Sequence, residues 1–471
     1  MKTLVDVAVD PMIVDVVEAL QGLTQQVREL PDACAVERLV HEGLKSIERA
    51  YMEQCVRLKV EQVIEEDVRE VRCPHCDGWA VVRQTRAARW ALTVRGRIDF
   101  ERPVYRCEGR DCQRERCLVD EQLGLEPKEH FTPLVQSKVA WAATSSASFE
   151  RAGKDLTRLA ELEVSPKQVH RIFEKIGGRA LALQDAEVSR DGAPASPQAP
   201  IATEEQPETV VLEMDGTCVM GRDGEGHEVK CATVFGLDAR AVTGSPGKER
   251  PVLLSRAYCA TSRGIRAFSG MTWALANRWG VRSARRVVVI GDGIDWIWNW
   301  SADRLHRTTP EGTEERPVEI VDFWHACENL SDAREAIFAD PAGAAARKWQ
   351  DTWRHRLRAG GIDALVAELE RRSKAAGDQT RRDRLRVRTQ YFRKHRERMR
   401  YKDFEAQGLP IGSGAIEGTC KNLVKGRMAG VGMRWDAEEG IEPMCALRVR
   451  MFNERWEDLW PNSQNPDAKA A

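Results

Sequence analysis

No apolar run in this chain is longer than a strand, and Asp6, Asp10 and Asp15 stand where a secretory leader would carry basic residues and an apolar middle. The pattern predicts no membrane span and a cytoplasmic protein. Net charge is also scarce: it is −1 over 471 residues, which as a sum argues against a nucleic-acid partner. Apolar residues at 42% and charged residues at 31% exclude a disordered chain. The length implies several domains, each with its own core. Cysteine is not scarce, but only one group of the 13 is regularly spaced, and in an intracellular protein such spacing favours metal over disulfides.

The charge that is present is unevenly placed. Between Arg371 and Lys402, basic residues, mostly arginine, greatly outnumber acids. Such a run can neutralise phosphates by releasing counterions. It reads equally well as a solvated helix face.

The N-terminal part reads as helical, with Ile13, Val16, Val17, Leu20 and Leu23 at helical spacing, a segment for packing or dimerisation. Cys73-Pro-His-Cys76 follows, then β-rich runs Trp90 to Val94 and Ile98 to Tyr105 joined at Arg95-Gly96-Arg97, then Cys107 and Cys112. Two cysteine pairs flanking a hairpin predict a zinc ribbon with four thiolates around one Zn2+. The second pair has four intervening residues rather than two, so Cys117 and His75 stand as substitute ligands. Beyond it, Ser148 to Ala160 and Val164 to Phe173 read as two helices, a helix-turn-helix or a plain hairpin. Ser165 would cap the second, Pro166 would open it, and Lys167, Gln168, His170 and Arg171 would face out.

The C-terminal half carries the chemistry. Strands are expected at Thr209 to Met214, Glu228 to Phe235, Val252 to Tyr258, Val287 to Ile290 and Val318 to Val321, with a helix from Ile265 to Trp279 and a hairpin turn at Gly221 to Gly226. Three antiparallel strands followed by alternating helices and parallel strands is the order of a ribonuclease H-like domain. It puts the first and fourth strands side by side, so Asp215 and Asp292 would meet although 77 residues apart. Glu417 opens a helix with Ile416, Cys420, Leu423 and Val424 as its buried stripe and Lys421 and Lys425 on its flank. Each acid alone has a plainer reading, as a turn former or a surface residue. Together they predict a carboxylate cage for two Mg2+ or Mn2+ ions and phosphoryl transfer on nucleic acid. Asp322 reads as a helix cap and His325 as a residue beside the cage.

Val211-Leu-Glu-Met-Asp-Gly-Thr217, Ile290-Gly-Asp-Gly-Ile-Asp-Trp-Ile-Trp298, Ile320-Val-Asp-Phe-Trp-His-Ala326, Ile411-Gly-Ser-Gly-Ala-Ile-Glu-Gly418 and Gly432-Met-Arg-Trp435 resemble the motifs of ISKra-type insertion-sequence transposases. Those enzymes are similar in turn to the Mutator-like DDE group. The resemblance spans nearly the whole chain, departing from the family at the Cys107–Cys112 gap and at Gly418. It implies Asp215, Asp292 and Glu417 as the metal-binding triad, Asp322 and His325 as the pair after the second acid, and a helical insertion between the second and third acids.

The expected protein is multidomain α+β. A helical segment covers residues 1–70, a zinc ribbon 71–120, a helical helix-turn-helix-like DNA-binding region 121–184 and a linker 185–208. A ribonuclease H-like α/β catalytic core covers 209–330, an all-helical insertion 331–405, a C-terminal catalytic helix region 406–460 and a disordered tail 461–471. The expected activity is metal-dependent DNA cleavage and strand transfer, with Asp215, Asp292, Glu417 and His325 catalytic. Lys421, Lys425, Arg427, Lys167 and Arg171 would contact DNA. The partners would be the element's terminal repeats and target DNA, bound by a homo-oligomer at the nucleoid. Two alternatives stay open: a nuclease that cuts without joining, and a zinc-dependent DNA-binding protein derived from a transposase.

Overall fold

The computed structural model describes residues 11–28, 30–65, 68–192, 207–243, 250–308 and 314–460. The tail over 461–471 and most of the expected linker lie outside the described residues. The chain is mixed α+β and divides into two compact units, 1–172 and 173–471. Their boundary falls inside one helix, Pro166–Asp191, which runs on through residues 185–191 where a linker is expected.

The first unit opens with helices Pro11–Val27 and Ala33–Glu65. Strands β1 (Glu70–Arg72), β2 (Trp79–Thr93), β3 (Gly96–Cys107) and β4 (Glu115–Arg116) then form an antiparallel sheet in sequential order. The hairpin closes one residue earlier than expected, Thr93 pairing with Gly96, whose φ of 109° is open to glycine and strained for other residues. β2 also starts well before Trp90, with irregular pairing between Val82 and Ala87. Val56, Val60 and Val63 of the second helix pack with Ala91, Ile98 and Phe100 of the hairpin.

In the second unit, β5 (Thr209–Met220), β6 (Gly226–Thr243), β7 (Arg250–Thr261), β8 (Arg286–Gly291) and β11 (Val318–Val321) form one sheet in the order β11-β8-β5-β6-β7; β9 (Arg307–Thr308) and β10 (Glu314–Glu315) make a separate small hairpin. β11, β8 and β5 are parallel, while β6 is antiparallel to both of its neighbours. The expected strand sequence is present, with β5 to β7 longer than the apolar runs suggest. The central strands are apolar on both faces, Val210, Val211, Leu212, Val288, Val289 and Ile290 all being fully buried, as parallel strands covered by helices require.

Helices Phe323–Ile337, Ala344–Arg358, Ile362–Ala375 and Gln379–Lys394 follow β11. This helical stretch shares one core with the sheet: Leu357, Leu365, Phe392 and Tyr401 belong to the same cluster as Val211 and Ile290, and the Tyr401 hydroxyl donates to the Val321 carbonyl at 3.0 Å. The last layer is the helix from Gly414, α-helical to Thr419, π-helical over Cys420–Lys425 and α-helical again to Met428, followed by helix Glu442–Phe452.

Candidate functional site

β5 and β8 are held in a register that pairs Leu212 with Val289 and Glu213 with Ile290. The same offset of 77 residues sets Asp215 and Asp292 level with each other, each two residues past the last pair. Asp215 does not end its strand: β5 continues to Met220, paired only with β6, and Asp215 lies opposite Cys231. The apolar run stops at Met214 because the β8 side of β5 opens there, while ladder bonds to β6 carry the strand on.

Both aspartates are half-buried. Asp215 Oδ1 accepts from the Gly216 amide at 2.7 Å, and Asp292 Oδ1 accepts from the Ile294 amide at 2.9 Å, so each also fills the turn role its sequence context suggests. Burial raises the Asp215 pKa and the Gly216 amide opposes it; the charges of Asp292 and Glu417 raise it further, and His325 draws it down. Asp215, Asp292, His325 and Glu417 therefore share one electrostatic neighbourhood. Among the described residues, however, the three carboxylates do not all converge to within 4.8 Å. Glu417 is exposed, and its side-chain torsions give it reach.

The insertion shapes the Asp292 turn. Tyr391 donates its hydroxyl to the Asp292 carbonyl at 3.1 Å. Gly293, with φ of 102°, lies against the Tyr391 ring so closely that an added Cβ would sit 2.9 Å from it. Asp322 is fully buried and caps helix Phe323–Ile337, accepting the His325 amide at 2.8 Å on Oδ1 and the Ser413 amide on Oδ2. Burial alone would raise its pKa, but the hydrogen bonds from His325 and Ser413 outweigh that and hold it below the usual range. His325 Nδ1 lies 3.3 Å from the same carboxylate, which raises the imidazole to about 9.

The expected stripe of the Glu417 helix is buried as its spacing predicts: Ile416, Cys420, Leu423 and Val424. Lys421 and Lys425 are exposed, but the π-helical turn changes their phase relative to Glu417. Arg427 is a correction: it is 2% exposed, with its guanidinium 4.9 Å from the Trp435 ring centre, and so faces the interior rather than DNA. The Gly432-to-Trp435 motif braces the β5–β6 turn, Trp435 exchanging backbone hydrogen bonds with Met220 and Arg222.

The arginine-rich stretch is also largely committed. Arg371 and Arg372 pair with Glu368, Arg388 with Asp332, Arg393 with Glu370, Arg398 with Glu319 and Arg400 with Glu397. The charge run is therefore, in the main, an ion-paired helix surface. Glu368 and Glu397 are three or four residues from their arginines, whereas Asp332, Glu370 and Glu319 come from other helices and from β11, beyond the reach of a local sequence window.

In the first unit, Cys73, Cys76, Cys107 and Cys112 converge into one group that can hold a metal such as zinc. Sulfur separations are 3.6 Å for Cys73–Cys112 and 3.4 Å for Cys76–Cys107, close to the edge of about 3.8 Å expected for a tetrahedron with Zn–S bonds near 2.3 Å. Two similar turns present them: the Cys73 amide donates to the Gly78 carbonyl and the Cys107 amide to the Arg114 carbonyl, with Asp77 and Gln113 at positive φ. The His75 backbone N–H is the largest influence lowering the Cys73 thiol to about 6, while burial and the neighbouring sulfurs push Cys107 and Cys112 up, so the first charge of the group rests on Cys73. The longer second gap is absorbed by the Gly109 turn. Neither substitute ligand is drawn in: His75 meets Arg114 at 2.8 Å, and Cys117 lies outside the group with burial pushing its thiol up to about 11.

Ser165 and Gln168 form a reciprocal capping box at the start of helix Pro166–Asp191. Gln168 is thereby folded back, and His170 packs edge-on against Phe149, so neither faces out freely as expected. Lys167 is exposed, and Arg171 is exposed with a contact to Glu129 at 3.4 Å.

Sequence reading passed over Glu213, Tyr391 and Arg448. Glu213 had a signal, being the single charged residue inside the run Val210 to Met214; Tyr391 and Arg448 had none. No curated protein matches the chain. Residues 34–458, most of the chain, match an uncharacterised protein family, UPF0236, and the protein belongs to that family.

Proposed function

We propose that this chain is a DNA transposase of the DDE type, with a ribonuclease H-like core that performs metal-dependent cleavage and strand transfer at the ends of an insertion sequence. The observation that carries the reading is the β5–β8 register, which levels Asp215 with Asp292 beside the helix bearing Glu417. The strand order β7-β6-β5-β8-β11, with the second strand antiparallel, supports the same core.

Asp215, Asp292 and Glu417 are the hard oxygen donors that Mg2+ or Mn2+ prefers, and the mutual repulsion already felt by Asp215 is what a divalent cation relieves. Bound there, such ions supply an activated oxygen nucleophile and charge stabilisation at phosphorus. The protein's own part is to hold the acids level. Asp322 ties the end of β11 to the start of the Glu417 helix, and His325, held by Asp322 with its pKa raised to about 9, is cationic at neutral pH, next to where phosphate charge would lie.

Exposed Lys421, Lys425, Lys167 and Arg171 would contact backbone phosphates, and the zinc ribbon would contribute to reading the element ends. The ion pairs of the insertion are mostly exposed and individually weak, so phosphates can compete for their arginines. Val17, Leu20, Val40, Leu44 and Leu58 are exposed on the two N-terminal helices, which supports self-association of the protein on DNA.

The test is cleavage and strand transfer on DNA carrying the element's ends, with Mg2+ or Mn2+, comparing wild type with Glu417→Gln. Loss in the variant with DNA binding retained is the expected result. Cleavage without joining by the wild type would make it a nuclease. Binding without metal-dependent cleavage by the wild type would leave a DNA-binding protein.

A further inference from the structure

The helix that carries Glu417 is fastened at its start to β5 by a buried acid, Glu213, that does not belong to the carboxylate triad. Glu213 and Asp215, two residues apart, lie on one face of β5. The Ile416 amide donates to Glu213 Oε2 at 2.8 Å, and four residues further on the Cys420 thiol lies 3.9 Å from Asp215 Oδ2. Two strand residues advance about 6.6 Å and four helical residues about 6 Å, so strand and helix run in step over this stretch. Glu213 sets the step. It is 2% exposed, and its strand position leaves it no route to solvent.

Asp322 adds a second buried acceptor at the same helix start, through the Ser413 amide. At the far end, the π-helical turn Cys420–Lys425 shifts carbonyls out of the α-helical pairing. Arg448, 7% exposed and carried by helix Glu442–Phe452, takes up two of them, donating to the Asn422 carbonyl at 2.6 Å and to the Leu423 carbonyl. Burying an acid and a guanidinium is costly unless each is fully hydrogen-bonded, and burial pushes the Glu213 pKa up to about 8. A helix that only had to cover the sheet would be served by apolar residues at both places, as the stripe of Ile416, Leu423 and Val424 shows. Apolar packing is non-directional, however, and does not fix a helix along its own axis. Hydrogen bonds to particular amides and carbonyls do.

We propose that Glu213 is a positioning residue for Glu417: its buried carboxyl oxygen, with Arg448 at the other end, locks the helix in the axial register that sets Glu417 beside Asp215. The proposal rests on the reading of Asp215 and Glu417 as partners in one metal site. A slip of one residue along the helix would move Glu417 by about 1.5 Å, a misplacement of the size that costs roughly a hundredfold in rate.

The experiment compares full-length wild type, Glu213→Leu and Glu213→Gln by amide hydrogen exchange over residues 411–420, by Mn2+ half-saturation of DNA cleavage, and by melting. Leucine keeps the volume and removes the acceptor; glutamine keeps an acceptor oxygen and cannot ionise. Glu213→Leu is expected to speed exchange at 413–417 and to lower cleavage by at least about tenfold, and to raise the Mn2+ half-saturation concentration. Glu213→Gln is expected to restore all three to within about threefold. Where Glu213→Leu does not fold, Arg448→Met takes its place, with faster exchange expected at 420–426. Exchange and cleavage both at wild-type level in the folded leucine variant would overturn the proposal. So would a glutamine variant as inactive as leucine with exchange unchanged, since charge and not position would then matter. A wild type that does not cleave would defeat the transposase reading, and the exchange comparison would still decide the positioning role.

Discussion

The cysteine group and the carboxylate group are built in opposite ways. The four cysteines come from two short turns of one antiparallel sheet, each closed by its own backbone hydrogen bonds, so the geometry is made locally. Asp215, Asp292 and Glu417 come from two parallel strands and a late helix, and nothing local brings them near each other. Their arrangement depends on a strand register and on a helix fixed at both ends. The first kind of site, being small and local, is expected to depend on a bound metal for its stability; the second is expected to stand without metal, because the core beneath it is large.

The largest expected effect sharpens this contrast. Removing zinc with a strong chelator, or replacing Cys73 and Cys76 with serine, is expected to unfold residues 70–116, since structural zinc sites contribute on the order of 10 kcal/mol. Metal analysis together with hydrogen exchange checks it: exchange should rise in β1 to β4 and stay unchanged in β5 to β8. An intact ribbon without zinc would erase the distinction. Next comes Asp215→Asn, expected to lower metal-dependent cleavage by at least about a hundredfold. Because the Asp215 charge is buried and repelled by Asp292 and Glu417, the same variant is expected to be more stable than wild type, by about 1 kcal/mol. A destabilised asparagine variant in a melting experiment would contradict that account.

A smaller effect follows from His325. Its pKa is raised from 6.5 to about 9 in the folded protein, first by the hydrogen bond with Asp322. The associated stability is therefore full below about pH 6.5 and is lost as pH rises through about 9, a change of about 2 to 3 kcal/mol. Denaturant unfolding across that window should show the slope in the wild type and not in His325→Gln. Smallest of all, Tyr391→Phe removes the hydrogen bond to the Asp292 carbonyl and is expected to cost about 1 kcal/mol. A larger loss in cleavage than in stability would show the insertion acting on the Asp292 turn.

Much of this was legible in the residues. Cys73-Pro-His-Cys76 with Cys107 and Cys112 announced the metal group because turn chemistry is local. The strand sequence followed from alternating apolar runs and Gly-rich turns, and Ser165 with Pro166 marked the helix start, while the return bond from Gln168, expected to face out, was missed. The arginine-rich stretch was ambiguous for a physical reason: whether Arg388 or Arg398 is neutralised depends on Asp332 and Glu319, which the fold brings from other elements. Arg427 looked like a surface cation because of its charge, although it lies four residues past Leu423, on the spacing of the buried stripe itself. Glu213 was hidden inside an apolar run, its partner being an amide 203 residues away.

The sequence by itself determined which side chains have metal-binding chemistry, the local turns that present the four cysteines, and the alternation of strands and helices, since all of these follow from short-range sterics and apolar periodicity. Only the tertiary structure decided that Asp215 stands level with Asp292, that Arg388, Arg393 and Arg398 are answered by carboxylates of other elements, and that Glu213 and Arg448 hold the Glu417 helix. Those outcomes depend on which strand edges pair and which buried amides need acceptors, and such demands exist only once the core has closed.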